Sequence, residues 1–146
     1  MIRPHVEIPV SSLDKNLEFY QTLFDSAPSI AADDFAEFTT NNPPMTLRVV
    51  ERANKAPKPV GNNGHFGIQM KSSKMLEAFQ KRFEGIGLRL NISQNDVECC
   101  GTVQNKIWVE DHDGNGWELF VVVDQAEDGG CGEDVESCTS CPCNFN

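Results

Sequence analysis

The chain repeats its own pattern once, and this internal repeat restricts the possible folds more than any other feature. His5-Val6-Glu7-Ile8-Pro9-Val10 and His65-Phe66-Gly67-Ile68-Gln69-Met70 lie 60 residues apart, and each run is followed by serines and an amphipathic helix pattern. Short segments with the alternation typical of β-strands follow each predicted helix. The sequence therefore predicts an α+β fold made of two βαβββ modules in tandem.

Each predicted helix has one apolar stripe, preceded by serines that are suitable N-caps. The stripes comprise Leu13, Leu17, Tyr20 and Phe24 in the first helix and Leu76, Phe79, Phe83 and Ile86 in the second. The predicted caps are Ser11 or Ser12 for the first helix and Ser73 for the second, and the later predicted strands include Met45–Glu51, Asn105–Val109 and Trp117–Val123.

Strand alternation places three potential metal ligands on the strand faces that lie opposite the apolar residues. In the predicted strands His5, His65 and Glu118 alternate with apolar residues, so all three can line one cavity while the apolar faces pack on the helices. Two imidazoles and one carboxylate hold a divalent ion and leave coordination positions open. The alternative is a satisfied core histidine with an exposed glutamate. Aligning the two halves predicts Thr46, a poor ligand, at the position equivalent to Glu118.

The six cysteines divide into an adjacent pair and a terminal group. Cys99 and Cys100 are followed by Gly101, and their polar neighbours predict a loop. Adjacent cysteines are poorly spaced for a disulfide but can chelate a soft centre such as trivalent arsenic or cadmium. Two small buried side chains are the alternative. The terminal group, a possible soft-metal site or else a mobile thiol-rich tail, consists of Cys131, Cys138, Cys141 and Cys143.

The net charge of −10 at pH 7 argues against nucleic acid or an anionic membrane as a partner. Residues 124–146 carry six of the 22 acidic side chains and no Lys or Arg, which predicts a flexible tail after a domain at residues 1–123. No apolar run approaches the roughly 20 residues of a membrane span, and we expect Met1-Ile2-Arg3-Pro4 to lead into the first strand rather than to belong to a signal peptide. We expect a cytoplasmic protein with a small-molecule ligand, either a monomer or a homodimer.

These residues resemble the vicinal oxygen chelate superfamily over residues 1–123, with one module at about 1–60 and the other at about 61–123. The resemblance rests on the two modules, the two histidines and the ending Asp111-His112-Asp113-Gly114-Asn115-Gly116-Trp117-Glu118-Leu119. It implies an open, half-barrel metal cavity. The superfamily includes glyoxalases, ring-cleaving dioxygenases and antibiotic-resistance proteins, so this resemblance specifies the fold better than the reaction.

The adjacent cysteines sharpen the resemblance to the carbon-arsenic lyases and the related cadmium-induced proteins. Membership of that group implies Fe(II) bound by His5, His65 and Glu118, with O2 as co-substrate and a trivalent organoarsenical such as methylarsonous acid bound by Cys99 and Cys100. Nickel, cobalt or zinc can occupy the same ligand set. Two other hypotheses are a cadmium- or arsenite-binding stress protein without turnover, and another metalloenzyme of the superfamily, such as a glyoxalase-like isomerase or a ring-cleaving dioxygenase.

Overall fold

Two successive βαβββ runs make up the described part of the chain, as predicted. The computed structural model describes residues 2–42, 44–52, 65–88, 90, 92–99 and 102–125. The first run comprises β1 (His5–Val10), α1 (Leu13–Phe24), β2 (Ile30–Ala31), β3 (Phe35–Asn41) and β4 (Pro44–Glu51). The second comprises β5 (Phe66–Gln69), α2 (Ser73–Gly85), β6 (Ile92–Cys99), β7 (Thr102–Glu110) and β8 (Gly116–Gln125).

The two runs form sheets with the same strand order. The first sheet has the order β1-β4-β3-β2 and the second the order β5-β8-β7-β6. In each sheet the first strand pairs in parallel with the last, and the remaining neighbours are antiparallel. The described residues group into two compact units: unit 1 contains those up to Arg52 together with Asp111–Gly114, and unit 2 contains those from His65 to Glu110 and from Asn115 to Gln125.

In unit 1, α1 begins after Ser12, whose side chain accepts a hydrogen bond from Lys15 N at 3.5 Å. The helix packs on β3 and β4. Its buried face is rotated from the predicted stripe, because the sheet beneath the helix selects the buried face. Leu17 and Phe24 are half-buried. The buried residues are Leu13, Asn16, Phe19, Tyr20 and Leu23.

The turn Asp111–Gly114 also belongs to unit 1, where buried polar groups hold it on α1. Tyr20 donates a hydrogen bond from its hydroxyl to Asp111 Oδ2 at 2.8 Å, and Asn16 donates from Nδ2 to Asp113 Oδ2 at 2.8 Å. Gly114 has a φ of 82°, which glycine adopts at little cost. The two aspartates that are prominent in the sequence thus hold the turn before β8.

In unit 2, α2 begins one residue earlier than its predicted cap implied. Ser72 is the N-cap and accepts a hydrogen bond from Met75 N at 3.3 Å, whereas Ser73 is the first helical residue. The helix packs on β7 and β8. Its predicted stripe is buried at Leu76 and Phe83 and half-buried at Phe79 and Ile86. In the described part of the chain, no helix has the length and apolar character needed to cross a membrane.

Candidate metal centre

The parallel pairing of β5 with β8 brings His65 beside Glu118. Gly67 pairs with Glu118 in backbone register, and His65 comes directly before β5. His65 Nε2 lies 3.0 Å from Glu118 Oε2, and 35% of the His65 side chain and 12% of the Glu118 side chain are exposed. The strand pairing therefore places an imidazole nitrogen next to a carboxylate oxygen, with the imidazole accessible to solvent.

The separation of these two atoms fits two ligands of one metal ion. Nitrogen and oxygen ligands bound at about 2.0 to 2.2 Å in neighbouring octahedral positions lie about 3.0 Å apart, which is also the length of a hydrogen bond between the two groups. An imidazole nitrogen and a carboxylate oxygen are also donors that first-row divalent ions accept. His65 and Glu118 are therefore suited, in chemistry and in spacing, to hold such an ion.

His5 is the third predicted ligand and belongs to unit 1. It is the first residue of β1, is exposed, and pairs in register with Thr46 on β4. Among the residues that the structure describes, no three His, Cys, Asp or Glu side chains are grouped closely enough to hold a metal ion. The structure brings two of the predicted ligands together within unit 2, and His5 stays a prediction from the repeat.

The residue equivalent to Glu118 in the first module is Arg48, and the expectation of Thr46 was wrong by two positions. Glu7 and Gly67 are equivalent because each follows its histidine by two residues. Glu7 pairs with Arg48, whereas Gly67 pairs with Glu118. A shift of two residues preserves strand alternation, so the sequence pattern could not exclude it. An arginine side chain has only N–H donors and cannot act as a ligand, which leaves three predicted protein ligands.

A buried lysine completes the surroundings of Glu118. Lys106 lies on β7, its side chain is 1% exposed, and its Nζ is 2.8 Å from Glu118 Oε1. The two oxygens of Glu118 therefore have different partners: Oε1 accepts from the Lys106 ammonium and Oε2 faces the His65 ring. A charged lysine is rarely buried this completely without an ionic partner.

Trp108 supports the imidazole. It pairs directly with Glu118 across β7 and β8, and its ring lies edge-on to the His65 ring at a centroid distance of 4.8 Å. Trp108 is also buried. Neither it nor Lys106 was predicted to belong to the site. Their spacing of two residues along a strand was visible in the sequence, but their relation to Glu118 depends on the register between two strands.

The first cysteine of the adjacent pair, Cys99, lies at the end of β6. Cys99 is the last residue of β6 and pairs in register with Thr102, the first residue of β7. The polar residues around the pair were expected to form a loop, and most of them instead form this hairpin. The backbone bulges near Asp96, which has a φ of 53°. Cys100 and the four tail cysteines lie outside the described residues.

Comparison with known proteins gives the same classification as the fold. The sequence profile of the Glyoxalase/Bleomycin resistance protein/Dioxygenase superfamily matches residues 2–119. The fold is similar to that of a solved glyoxalase/bleomycin resistance protein/dioxygenase from Alicyclobacillus acidocaldarius, with a TM-score of 0.67 and 19% sequence identity. The match covers 82% of this chain and 90% of the Alicyclobacillus chain. The chain therefore belongs to this superfamily, and the predicted α+β fold of βαβββ modules is confirmed.

Within the superfamily, the chain is similar to proteins that act on arsenic compounds. It is 35% identical over 119 residues to the trivalent organoarsenical cleaving enzyme of Bacillus sp. (strain MD1), covering 80% of this chain and 70% of that protein. It is 29% identical over 139 residues to the trivalent organoarsenical cleaving enzyme of Thermomonospora curvata, covering 95% and 89% respectively. These relatives confirm the predicted resemblance to the carbon-arsenic lyases.

Proposed function

We propose that this protein is an Fe(II)- and O2-dependent enzyme that cleaves the carbon-arsenic bond of trivalent organoarsenicals. The observation that carries the proposal is the similarity to two organoarsenical cleaving enzymes. The spacing of His65 and Glu118 and the adjacent Cys99 and Cys100 provide separate support, since one pair suits a divalent ion and the other a thiophilic substrate.

In this proposal the metal ligands are His5, His65 and Glu118. His65 and Glu118 have the spacing of ligands of one ion, and His5 has the position in its module that His65 has in the second. Two imidazoles and one carboxylate leave positions open, and an Fe(II) ion held there supplies the capacity to activate dioxygen. Lys106 and Trp108 hold the carboxylate and the imidazole in place.

Cys99 and Cys100 are the proposed substrate ligands. Their two sulfurs replace the two hydroxyls of methylarsonous acid, and the thiol protons leave with those hydroxyls as two molecules of water. Adjacent thiols thereby select arsenic in its trivalent, thiophilic state. Binding two sulfurs to one arsenic orients the remaining arsenic-methyl bond, and holding the reactants in place accounts for much of the rate in reactions of this kind.

The bound arsenical has to be carried toward the metal ligands. Thr102 lies six residues before Trp108 on β7, a path of about 20 Å at about 3.3 Å per residue. The register shifts between Gln94 and Val97 and again opposite Val103 and Gln104, so irregular pairing flanks β7 on both sides. Bulges of this kind bend strands and increase their twist. The proposed reaction requires the segment that carries Cys99 to bring the arsenical toward Glu118.

The proposed reaction balances without an added reductant. Methylarsonous acid and O2 give arsenite and formaldehyde: the carbon-arsenic bond breaks, carbon loses four electrons, O2 gains four, and arsenic stays trivalent. Protein loaded anaerobically with Fe(II) is mixed with methylarsonous acid, and arsenic species and formaldehyde are measured before and after air is admitted. We expect equal amounts of arsenite and formaldehyde only when iron and oxygen are both present. Bound but unchanged methylarsonous acid would instead indicate a sequestering protein.

Cysteine variants test the substrate ligands separately from the metal. Cys99→Ser and Cys100→Ser should each abolish arsenite release, because a single thiol cannot chelate the arsenic, while Fe(II) binding remains at the wild-type level. Cys131→Ser removes a thiol from the tail and serves as the matched control, with wild-type turnover expected. Full activity in both Cys99→Ser and Cys100→Ser would contradict the assignment.

A further inference from the structure

The two oxygens of Glu118 are in different surroundings, and this difference carries an inference about the metal centre. Oε2 faces His65 Nε2 at 3.0 Å, and Oε1 accepts from Lys106 Nζ at 2.8 Å. A carboxylate can bind a metal ion through one oxygen or through both. An oxygen already held by an ammonium group is less available to a metal ion, so the pairing bears directly on how many coordination positions Glu118 occupies.

We propose that Lys106 is a positioning residue that restricts Glu118 to a single ligating oxygen, Oε2, and so keeps one more coordination position open. This inference rests on the metal centre of the proposed function. The lysine is suited to the role because its side chain is almost fully buried and cannot leave its partner for solvent. Its strand is anchored on β8 by pairing that includes Lys106 with Phe120 and Trp108 with Glu118.

The location of Lys106 fits a positioning role better than contact with substrate. With 1% of the side chain exposed, the ammonium group cannot be reached from solvent. The neighbouring side chains on the same strand face, Gln104 and Trp108, are also buried. Burying a charged lysine is costly unless it is paired, and an uncharged side chain of the same length would fill this space without that cost. The ion pair with Glu118 is what distinguishes lysine from such a side chain.

Loss of the ammonium group acts on the metal in two opposite ways. Removing a positive charge strengthens the attraction of Glu118 for a cation, whereas releasing Oε1 alters how that carboxylate binds it. Metal affinity alone therefore does not report on positioning. Coordination number does, because a Glu118 that chelates through both oxygens occupies a position that was open in the wild type.

The test compares wild type, Lys106→Met and Lys106→Arg, each loaded with Co(II) and, separately, with Fe(II). The visible d–d bands of Co(II) weaken as its coordination number rises, and nitric oxide binds Fe(II) only at an open position. In Lys106→Met we expect weaker Co(II) bands and loss of most nitric oxide binding, because the second oxygen of Glu118 then fills a position that is open in the wild type. Lys106→Arg, which keeps the charge and the N–H donors, should restore both signals.

Controls separate a failure of this inference from a failure of the proposed function. Lys81→Met removes an exposed lysine from unit 2 and should leave both signals unchanged. Wild-type signals in Lys106→Met would overturn the inference. If Lys106→Met does not fold, a crystal structure of the wild-type Co(II) protein decides, since binding through both oxygens of Glu118 would also overturn it. A wild type that binds no Co(II) would overturn the metal centre as well, whereas normal metal signals without arsenite release would overturn only the reaction.

Discussion

Asp113 shows how a single carboxylate is adapted to its position in the turn before β8. Partial burial tends to raise its pKa, but hydrogen bonds from Ser11 and Asn16 and the proximity of His112 together exceed that effect and lower the pKa below its ordinary value of 3.8. The backbone N–H of Ser11 and the side-chain amide of Asn16 lie 2.9 and 2.8 Å from Asp113 Oδ2. The folded state therefore favours the charged carboxylate.

Replacing Asp113 with Asn should destabilise the protein in a pH-dependent way. A lowered pKa contributes stability that is fully present above the unfolded-state pKa and is lost as pH falls through the folded-state pKa. We expect Asp113→Asn to lower the free energy of unfolding by about 1 kcal/mol at pH 7 and by less near pH 3, as measured by urea unfolding. Asp33→Asn, at an exposed position, is the control. An equal loss at both pH values would contradict the electrostatic account.

The helices show how the ends of an element depend on one or two side chains. Helix α1 has a double cap, because Ser12 accepts from Lys15 N and Glu51 Oε2 accepts from Leu13 N at 2.8 Å. Helix α2 relies on Ser72, and Ser73 follows it within the helix. The sequence analysis predicted Ser73 as the cap, yet it is Ser72 that has the extended backbone of a capping residue.

The two serines before α2 form a matched pair for a stability measurement. Ser72→Ala should lower the free energy of unfolding by about 1 kcal/mol, because the Met75 N–H loses its side-chain acceptor and keeps only the Ser72 carbonyl oxygen. Ser73→Ala should change it by less than about 0.5 kcal/mol, since alanine is a favourable helical residue. Urea unfolding of both variants tests this expectation. An equal or larger loss in Ser73→Ala would show that the helix begins one residue later.

For the whole molecule, the distribution of charge and of cysteine suggests that residues 1–123 and residues 124–146 have different roles. Residues 1–123 carry 16 acidic and 12 basic side chains, so much of the net charge of −10 belongs to residues 124–146. Four of the six cysteines lie in that same segment. If turnover depends on the cysteine pair and the metal ligands alone, the tail thiols are dispensable for catalysis, whereas a sequestering protein would need them.

A full-length variant with serine at all four tail cysteines tests whether the tail thiols are needed for catalysis. We expect arsenite release within about twofold of wild type, because no tail residue belongs to the proposed metal or substrate ligands, and we expect one arsenical to bind each chain in both proteins. Arsenic speciation and the bound arsenic per chain are the measurements, with Cys99→Ser as the inactive comparison. Loss of most binding in the tail variant would favour sequestration.

The sequence by itself determined the architecture of each module, because the repeat, the helical stripes and the strand alternation are local patterns. It also predicted that His65 and Glu118 lie side by side, since their strands present them on matching faces, and the two side chains are 3.0 Å apart. Errors in the helix stripe and at Ser73 were small. The first arose because the packing surface beneath a helix selects its buried face, and the second because only Ser72 has the extended backbone of a cap.

Tertiary structure alone decided which side chains surround Glu118. Lys106 contacts it and Trp108 faces it because β7 pairs with β8 in one particular register. The same dependence on register explains why Arg48, and not Thr46, corresponds to Glu118. Strand alternation repeats every two residues, so a sequence pattern shows which face of a sheet a residue lies on. A shift of two residues leaves that pattern unchanged, so the pattern does not show which residue lies opposite. Only the hydrogen-bonded register between strands determines the neighbours of a residue.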